Sequence, residues 1–184
     1  MNKKVILVGP SGSLLKNKLG EKIDSYDVVC RMNHAGRPEI FKNNKYRNYI
    51  GNKKNIWFLN QQGRFRIMYP DLYDQFIVFR ENDEFQLKCE KLHKEFNNIS
   101  KKLTCGQLSI IWLLERYPYI TICGMDGFKG GHFYKDEFKA FKRLNQDEND
   151  KLVASGKGAH DPHREQEYRD YLIKEGKIKI LENE

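Results

Sequence analysis

Residues 5–33 read VILVGPSGSLLKNKLGEKIDSYDVVCRMN, and this stretch decides the fold. Val5 to Val8 is an all-aliphatic run that stops at Gly9-Pro10-Ser11-Gly12. A short apolar run closed by turn residues predicts a strand buried on both faces of a parallel sheet. Residues 27–31 hold a second β-branched run that closes at Asn33, and residues 14–26 between the two runs are expected to form a short helix or turn. Glycines after a first strand let backbone N–H groups approach an anionic ligand with no Cβ in the way, and open sheets bind ligands at such strand ends. A nucleotide site is therefore predicted at this turn.

Two common nucleotide signatures fail here. A P-loop needs Gly, four residues, then Gly-Lys-Ser/Thr, because the lysine and hydroxyl serve the phosphates and the metal. Gly12 is followed instead by Ser13, Leu14 and Leu15, and the next lysine is Lys16. A dinucleotide fingerprint needs three glycines at fixed spacing and an acidic residue ending the second strand, whereas Gly9 and Gly12 miss the spacing and that strand ends in Arg31-Met32-Asn33.

Working outward, residues 34–54 are polar, basic and rich in Gly and Asn, and read as a loop with little regular structure. Residues 55–60 (NIWFLN) and 75–80 (QFIVFR) read as the third and fourth strands, and residues 82–98 as an amphipathic surface helix with Phe85, Leu92 and Phe96 on its apolar side. Then come a small polar turn at 103–106, an apolar helix at 107–116 and a strand at 119–123 ending in Gly124-Met125-Asp126-Gly127-Phe128. A polar turn at a helix N-terminus directs free N–H groups and the positive dipole end at an anion. A glycine-hinged loop follows at 130–134, a charged helix at 138–153, a loop delivering His160-Asp161-Pro162-His163-Arg164-Glu165, a helix at 166–175 and a last strand at 177–181.

The 184 residues predict one domain, 1–184, with room for a real core; 39% are hydrophobic and 32% charged. No run approaches the length of a membrane span, and residues 1–4 lead straight into a core strand, so neither a signal peptide nor an anchor is expected. The net charge of +8 sits in the first third: residues 1–54 hold 12 Lys/Arg against 4 Asp/Glu, and the rest is balanced. Such a basic lobe can attract a charged donor, an anionic acceptor or an anionic membrane surface, while most single lysines are a solvated face. Tyr46 and Tyr49 among these charges show no RNP-like pattern, so nucleic-acid binding is not expected. The four cysteines, Cys30, Cys89, Cys105 and Cys123, have no CxxC spacing, and no Asp-x-Asp pair stands near the glycine turn, so no metal site is expected.

Several blocks together resemble the eukaryotic-type sialyltransferase family (glycosyltransferase family 29), as a short member of bacterial or phage type. Val8-Gly9-Pro10-Ser11-Gly12, then Gly20-Glu21-Lys22-Ile23-Asp24-Ser25-Tyr26-Asp27, then Arg31-Met32-Asn33 match its long motif in register. Thr104-Cys105-Gly106 and the helix and strand after it are similar to its short motif. His132-Phe133-Tyr134 resembles its third motif, with Lys135 where an acidic residue often stands. His160, four residues, then Glu165 has the spacing of its last. Two departures stand out: Pro10 replaces the family's turn asparagine and has no N–H or side-chain amide, and Cys105 removes a hydroxyl.

The resemblance implies a single Rossmann-like α/β domain, a variant of the GT-A arrangement, its sheet mostly parallel with helices on both faces. It implies an inverting transfer of sialic acid from a CMP-sugar donor to a glycan acceptor, with no cofactor and no metal. Gly9, Ser11, Gly12, Asn33, Thr104, Cys105, Gly106, Gly124 and Asp126 would hold the donor nucleotide. His160 would be the base, with His163 an open alternative, and His132 and Tyr134 would aid departure of CMP; Glu165 reads as a helix N-terminal carboxylate that orients a loop or the histidine. His34 and His93 carry no assigned role. The family's disulfide cannot form, because Lys3 and Lys4 precede the first strand, and a reducing, cytoplasmic location follows, with the basic residues 1–54 free to meet the inner membrane face. Two other readings stay open: a transferase using another CMP-ulosonic acid such as CMP-Kdo, and a CMP-binding protein of weak activity.

Overall fold

The computed structural model describes residues 3–42, 44–60, 64–99, 101–129, 131–138 and 146–181. Six strands form one sheet: β1 (Val5–Val8), β2 (Val28–Met32), β3 (Ile56–Leu59), β4 (Gln75–Val78), β5 (Ile120–Cys123) and β6 (Ile178–Ile180). Their order is β4-β3-β2-β1-β5-β6 and every pairing is parallel. The chain thus winds outward from β1 in one direction, then returns to the other side of β1 for β5. This switch point opens a crevice at the carboxyl ends of β1 and β5, where open α/β sheets bind ligands.

Parallel strands need crossovers that cover both faces, and the alternation of side chains supplies two cores. Val5, Leu7, Cys30 and Phe58 pack beneath α5 (Asp83–Asn97), α6 (Cys105–Leu114) and α8 (Pro162–Lys174), meeting Cys89, Leu108, Trp112 and Leu172. Ile6, Val8, Val29 and Cys123 face the other way, onto Leu14, Ile23, Ile40, Ile50 and Phe133. All four cysteines are buried free thiols. Among the described residues no helix is long and apolar enough to cross a membrane.

Residues 34–54 correct the expectation of a loop. They contain a 3-10 turn (Asn33–Gly36), α2 (Pro38–Lys42) and α3 (Arg47–Ile50), pinned by buried Ala35, Ile40, Tyr46 and Ile50. Isolated apolar residues among charges give no periodic signal over so few turns, and the anchoring is supplied from outside the segment. Arg31, fully buried, donates from Nη1 to Ile50 O at 2.7 Å and from Nη2 to Lys53 O at 2.9 Å. The Asp24 carboxylate accepts from the backbone N–H groups of Asn52 and Lys53 at 2.8 Å. Two charged residues of the long motif are therefore structural staples.

Other helices also depart from expectation, α6 (Cys105–Leu114) starting two residues before the expected 107. The buried face of α5 is Phe85, Cys89 and His93 at steps of four, while Leu92 and Phe96 are 37% and 40% exposed. The charged helix expected at 138–153 is seen as α7 (Gln146–Ala154), and residues 139–145 lie outside the described residues. The last helix starts at Pro162, four residues earlier than expected, because Asp161 caps it by accepting from Arg164 N–H at 3.2 Å and proline suits the first helical position.

His93 is fully buried against the Tyr168 ring, 4.4 Å between centroids. Desolvation pushes its pKa down to about 4, opposed only in part by Asn97. The unfolded chain therefore takes up this proton near pH 6.5 and the folded chain only near pH 4. Stability is full above that window and falls as pH drops through it, by about 3 kcal/mol at most. Urea unfolding at pH 7 and pH 4.5 should show this loss, and His93→Leu should flatten that part of the slope.

Candidate active site

A cleft of about 220 Å³ lies at the switch point. From the turn after β1 it takes Pro10 and Ser11, from the end of β2 Met32 and Asn33, and from the turn after β5 Gly124, Met125 and Asp126. The N-terminus of α6 contributes Thr104, Cys105 and Gly106; His132 and Tyr134 come from the loop beyond β5, and His160 with Glu165 from the start of α8. Most of the residues singled out in the sequence thus stand around one crevice. Gly9 and Gly12 are not among those lining it.

The backbone N–H groups of the glycine turn are bound within the protein, not left open to an anionic ligand as the glycines predict. Gly9 N–H donates to Cys123 O at 2.8 Å, Ser11 N–H to Gly124 O at 3.1 Å and Gly12 N–H to Gly131 O at 2.8 Å. Pro10, which has no N–H, accepts from Phe133 N–H at 2.9 Å through its carbonyl. A Cβ on Gly9 would stand 2.2 Å from Gly124 O, and Gly124 itself has φ +65°. These glycines let the β1 and β5 turns touch backbone to backbone. What the turn presents to the cleft is a side chain: Ser11 Oγ donates to Asp126 Oδ2 at 2.5 Å.

The α6 N-terminus is built differently. Thr104 caps it, its Oγ1 accepting from Gln107 N–H at 3.1 Å and donating to Glu165 Oε2 at 2.6 Å, while Thr104 N–H donates to Glu165 Oε1 at 2.7 Å. The Thr104 hydroxyl is therefore engaged inside the protein. The first-turn amides of Cys105 and Gly106, which a helix cannot satisfy internally, remain at the positive end of the helix. Burial pushes the Cys105 thiol up to about 12, so it stays protonated. Burial also raises the Glu165 pKa, against the Thr104 hydrogen bonds and the Arg169 charge.

His160 Nδ1 lies 2.7 Å from Lys102 O, and a carbonyl only accepts, so Nδ1 is the donor and the neutral ring would carry its lone pair on Nε2. His163 is exposed, binds Ala154 O through Nε2 at 2.8 Å and does not line the cleft. The His132 ring sits 5.3 Å from that of Tyr134, which is 2% exposed. His132 is held beside Ser11 by an antiparallel bridge.

Asn60, Met125, Phe128 and Arg169 also line the cleft and were not anticipated. Asn60 closes the run NIWFLN at the carboxyl edge of β3, so its position on a crevice-forming edge was the available signal; its N–H donates to Asn33 Oδ1 at 3.1 Å. Arg169 stands two turns beyond His160 in an ordinary charged helix, and nothing in its spacing marks it. The basic first third is less free than its count suggests: Arg31 is buried, Arg37 pairs with Glu39 at 2.5 Å and Lys45 with Glu137 at 2.6 Å.

The profile of "Glycosyltransferase family 29 (sialyltransferase)" matches residues 2–107. The chain is 36% identical over 97 residues to "Sialyltransferase-like protein 5" of Oryza sativa subsp. japonica, a match covering 53% of this chain and 18% of that protein. It is 39% identical over 70 residues to "Type 2 lactosamine alpha-2,3-sialyltransferase" of Homo sapiens, covering 38% of this chain and 16% of that protein. The matched region thus spans less than a fifth of these relatives' length. A mammalian sialyltransferase crystallised with Gal-beta-1-3GalNAc-ortho-nitrophenol superposes over 100% of this chain and 70% of its own, with a TM-score of 0.64 at 17% identity, which is a likeness of fold. With the profile covering more than half of its length, the chain belongs to glycosyltransferase family 29.

Proposed function

We propose that this protein is an inverting transferase that moves sialic acid from CMP-sialic acid to a glycan hydroxyl without a metal. The observation that carries the reading is His160: a ring fixed through Nδ1 on a backbone carbonyl, at the wall of a cleft, with Nε2 as its basic nitrogen. In this reading Nε2 removes the proton of the acceptor hydroxyl as its oxygen attacks the anomeric carbon. The bond from that carbon to the CMP phosphate oxygen breaks on the opposite face, which inverts the centre. Negative charge then grows on the phosphate, where His132, Tyr134 and the Cys105 and Gly106 amides can stabilise it. Asn33, Ser11 and Asp126 remain for the nucleoside.

Pro10 and Cys105 favour keeping a second donor in view. Each removes a polar group from the nucleotide side of the cleft, so a different CMP-ulosonic acid such as CMP-Kdo, or CMP binding with weak turnover, fits the same frame. Calorimetric titration with CMP, UMP, CMP-sialic acid and CMP-Kdo decides the donor. The expected result is at least tenfold preference for CMP over UMP, about 1.4 kcal/mol, reduced by Asn33→Ala. Equal affinity for the two nucleotides would remove the cytidine reading. The basic surface of residues 1–54 serves in this proposal as a long-range attractant for anionic donor or membrane.

A further inference from the structure

Beneath the α6 N-terminus lies a polar cluster that the transfer scheme does not use. Glu165 is 1% exposed and Arg169, one turn further along α8, is 3% exposed; Arg169 Nη1 stands 3.8 Å from Glu165 Oε2. Arg169 Nη2 donates to Gln166 Oε1 at 2.7 Å and Nη1 reaches Gln107 Oε1 at 3.4 Å, which ties α8 to α6. Both carboxylate oxygens of Glu165 are spent on Thr104, the cap of α6. A carboxylate this deep needs a countercharge, and the carboxylates of Glu165, Asp170 and Asp126 in turn favour the charged guanidinium against its own desolvation.

We propose that Arg169 is a positioning residue: it is the buried countercharge of Glu165, and the pair clamps Thr104 so that the first turn of α6 keeps its place at the cleft. The value of such a clamp to catalysis rests on the transferase reading, but the clamp itself does not. Without Arg169, the buried Glu165 carboxylate has no countercharge and is driven toward water, away from Thr104; taking up a proton instead would keep it in place at a free-energy cost that a neutral glutamine does not carry. With Glu165 replaced by glutamine as well, the pair becomes neutral: Oε1 can still accept from Thr104 N–H and the amide can donate to the Thr104 hydroxyl.

The test is amide hydrogen exchange of the full-length chain over residues 103–107, read beside CMP release from CMP-sialic acid. Arg169→Met and Glu165→Gln should each speed exchange at Thr104 by about 10- to 100-fold, the size of one charged hydrogen bond. The two substitutions combined, and separately Arg169→Lys, should return protection to within about threefold of the unsubstituted chain. A packing role alone would make the two losses add. Unchanged protection in Arg169→Met, or additive loss in the combined variant, would overturn the clamp. Recovery of protection in a protein that neither binds nor turns over the donor would sink the transferase reading and leave the clamp standing.

Discussion

Replacing His160 by alanine is expected to lower acceptor-dependent transfer by about a thousandfold, with CMP affinity held within about threefold. The asymmetry follows from geometry. His160 meets the cleft through an imidazole already oriented by Lys102 O, so on the proposed mechanism its removal takes away proton transfer and leaves the rest of the cleft in place. His163→Ala is the control, because that ring is bound to Ala154 O at the surface. Initial rates with saturating acceptor, together with CMP calorimetry for both variants, separate the roles. Equal losses in the two variants, or a loss confined to His163→Ala, would transfer the base to the other histidine. Folding of each variant is checked by its melting temperature, which neither substitution should move far, since neither side chain is fully buried.

Gly9→Ala should act in the opposite way, on the fold first. The new methyl would lie 2.2 Å from Gly124 O and 2.7 Å from Met125 Cγ, and Gly124 itself sits at φ +65°, where a Cβ would meet Leu14 at 2.6 Å. Backbone walls on this side cannot yield as a flexible side chain would. A destabilisation of about 3 kcal/mol or more follows, which lowers the melting temperature by about 6–12 °C in a chain of this size. If Gly9 served the nucleotide directly, Gly9→Ala would instead keep the melting temperature and weaken CMP binding alone. Thermal unfolding with and without CMP distinguishes the two outcomes.

The parallel sheet and its switch point were legible because Val5–Val8, NIWFLN and the run before Gly124 are apolar blocks closed by turn residues, a pattern few other arrangements produce. The convergence of Ser11, Asn33, Thr104, Asp126, His132 and His160 on one cleft was legible through motif order, since all but His132, on the glycine-hinged loop beyond β5, stand just past the carboxyl end of a strand or at a helix start. Residues 34–54 were not legible: their helices of four or five residues are held by Arg31 and Asp24, which belong to other segments. The packing of Gly9 against Gly124 was also not legible, because a glycine that admits a ligand and a glycine that admits a neighbouring strand turn carry the same letter. Arg169 could not be found at all, since a buried arginine and a solvated one differ only in tertiary surroundings. Glu165 read as a helix-start carboxylate; its burial and its grip on Thr104 required α6 and α8 to be placed side by side.

The measurement closest to the central claim is CMP release from CMP-sialic acid in the presence of EDTA, with and without a panel of glycan acceptors. The account predicts release that is stimulated by an acceptor, survives EDTA, yields a sialylated product of inverted configuration and disappears in His160→Ala. Release abolished by EDTA would contradict the metal-independent mechanism. CMP-sialic acid that binds but is never transferred to any acceptor, with CMP-Kdo equally inert, would contradict the transferase assignment itself and leave a nucleotide-binding protein on the same fold.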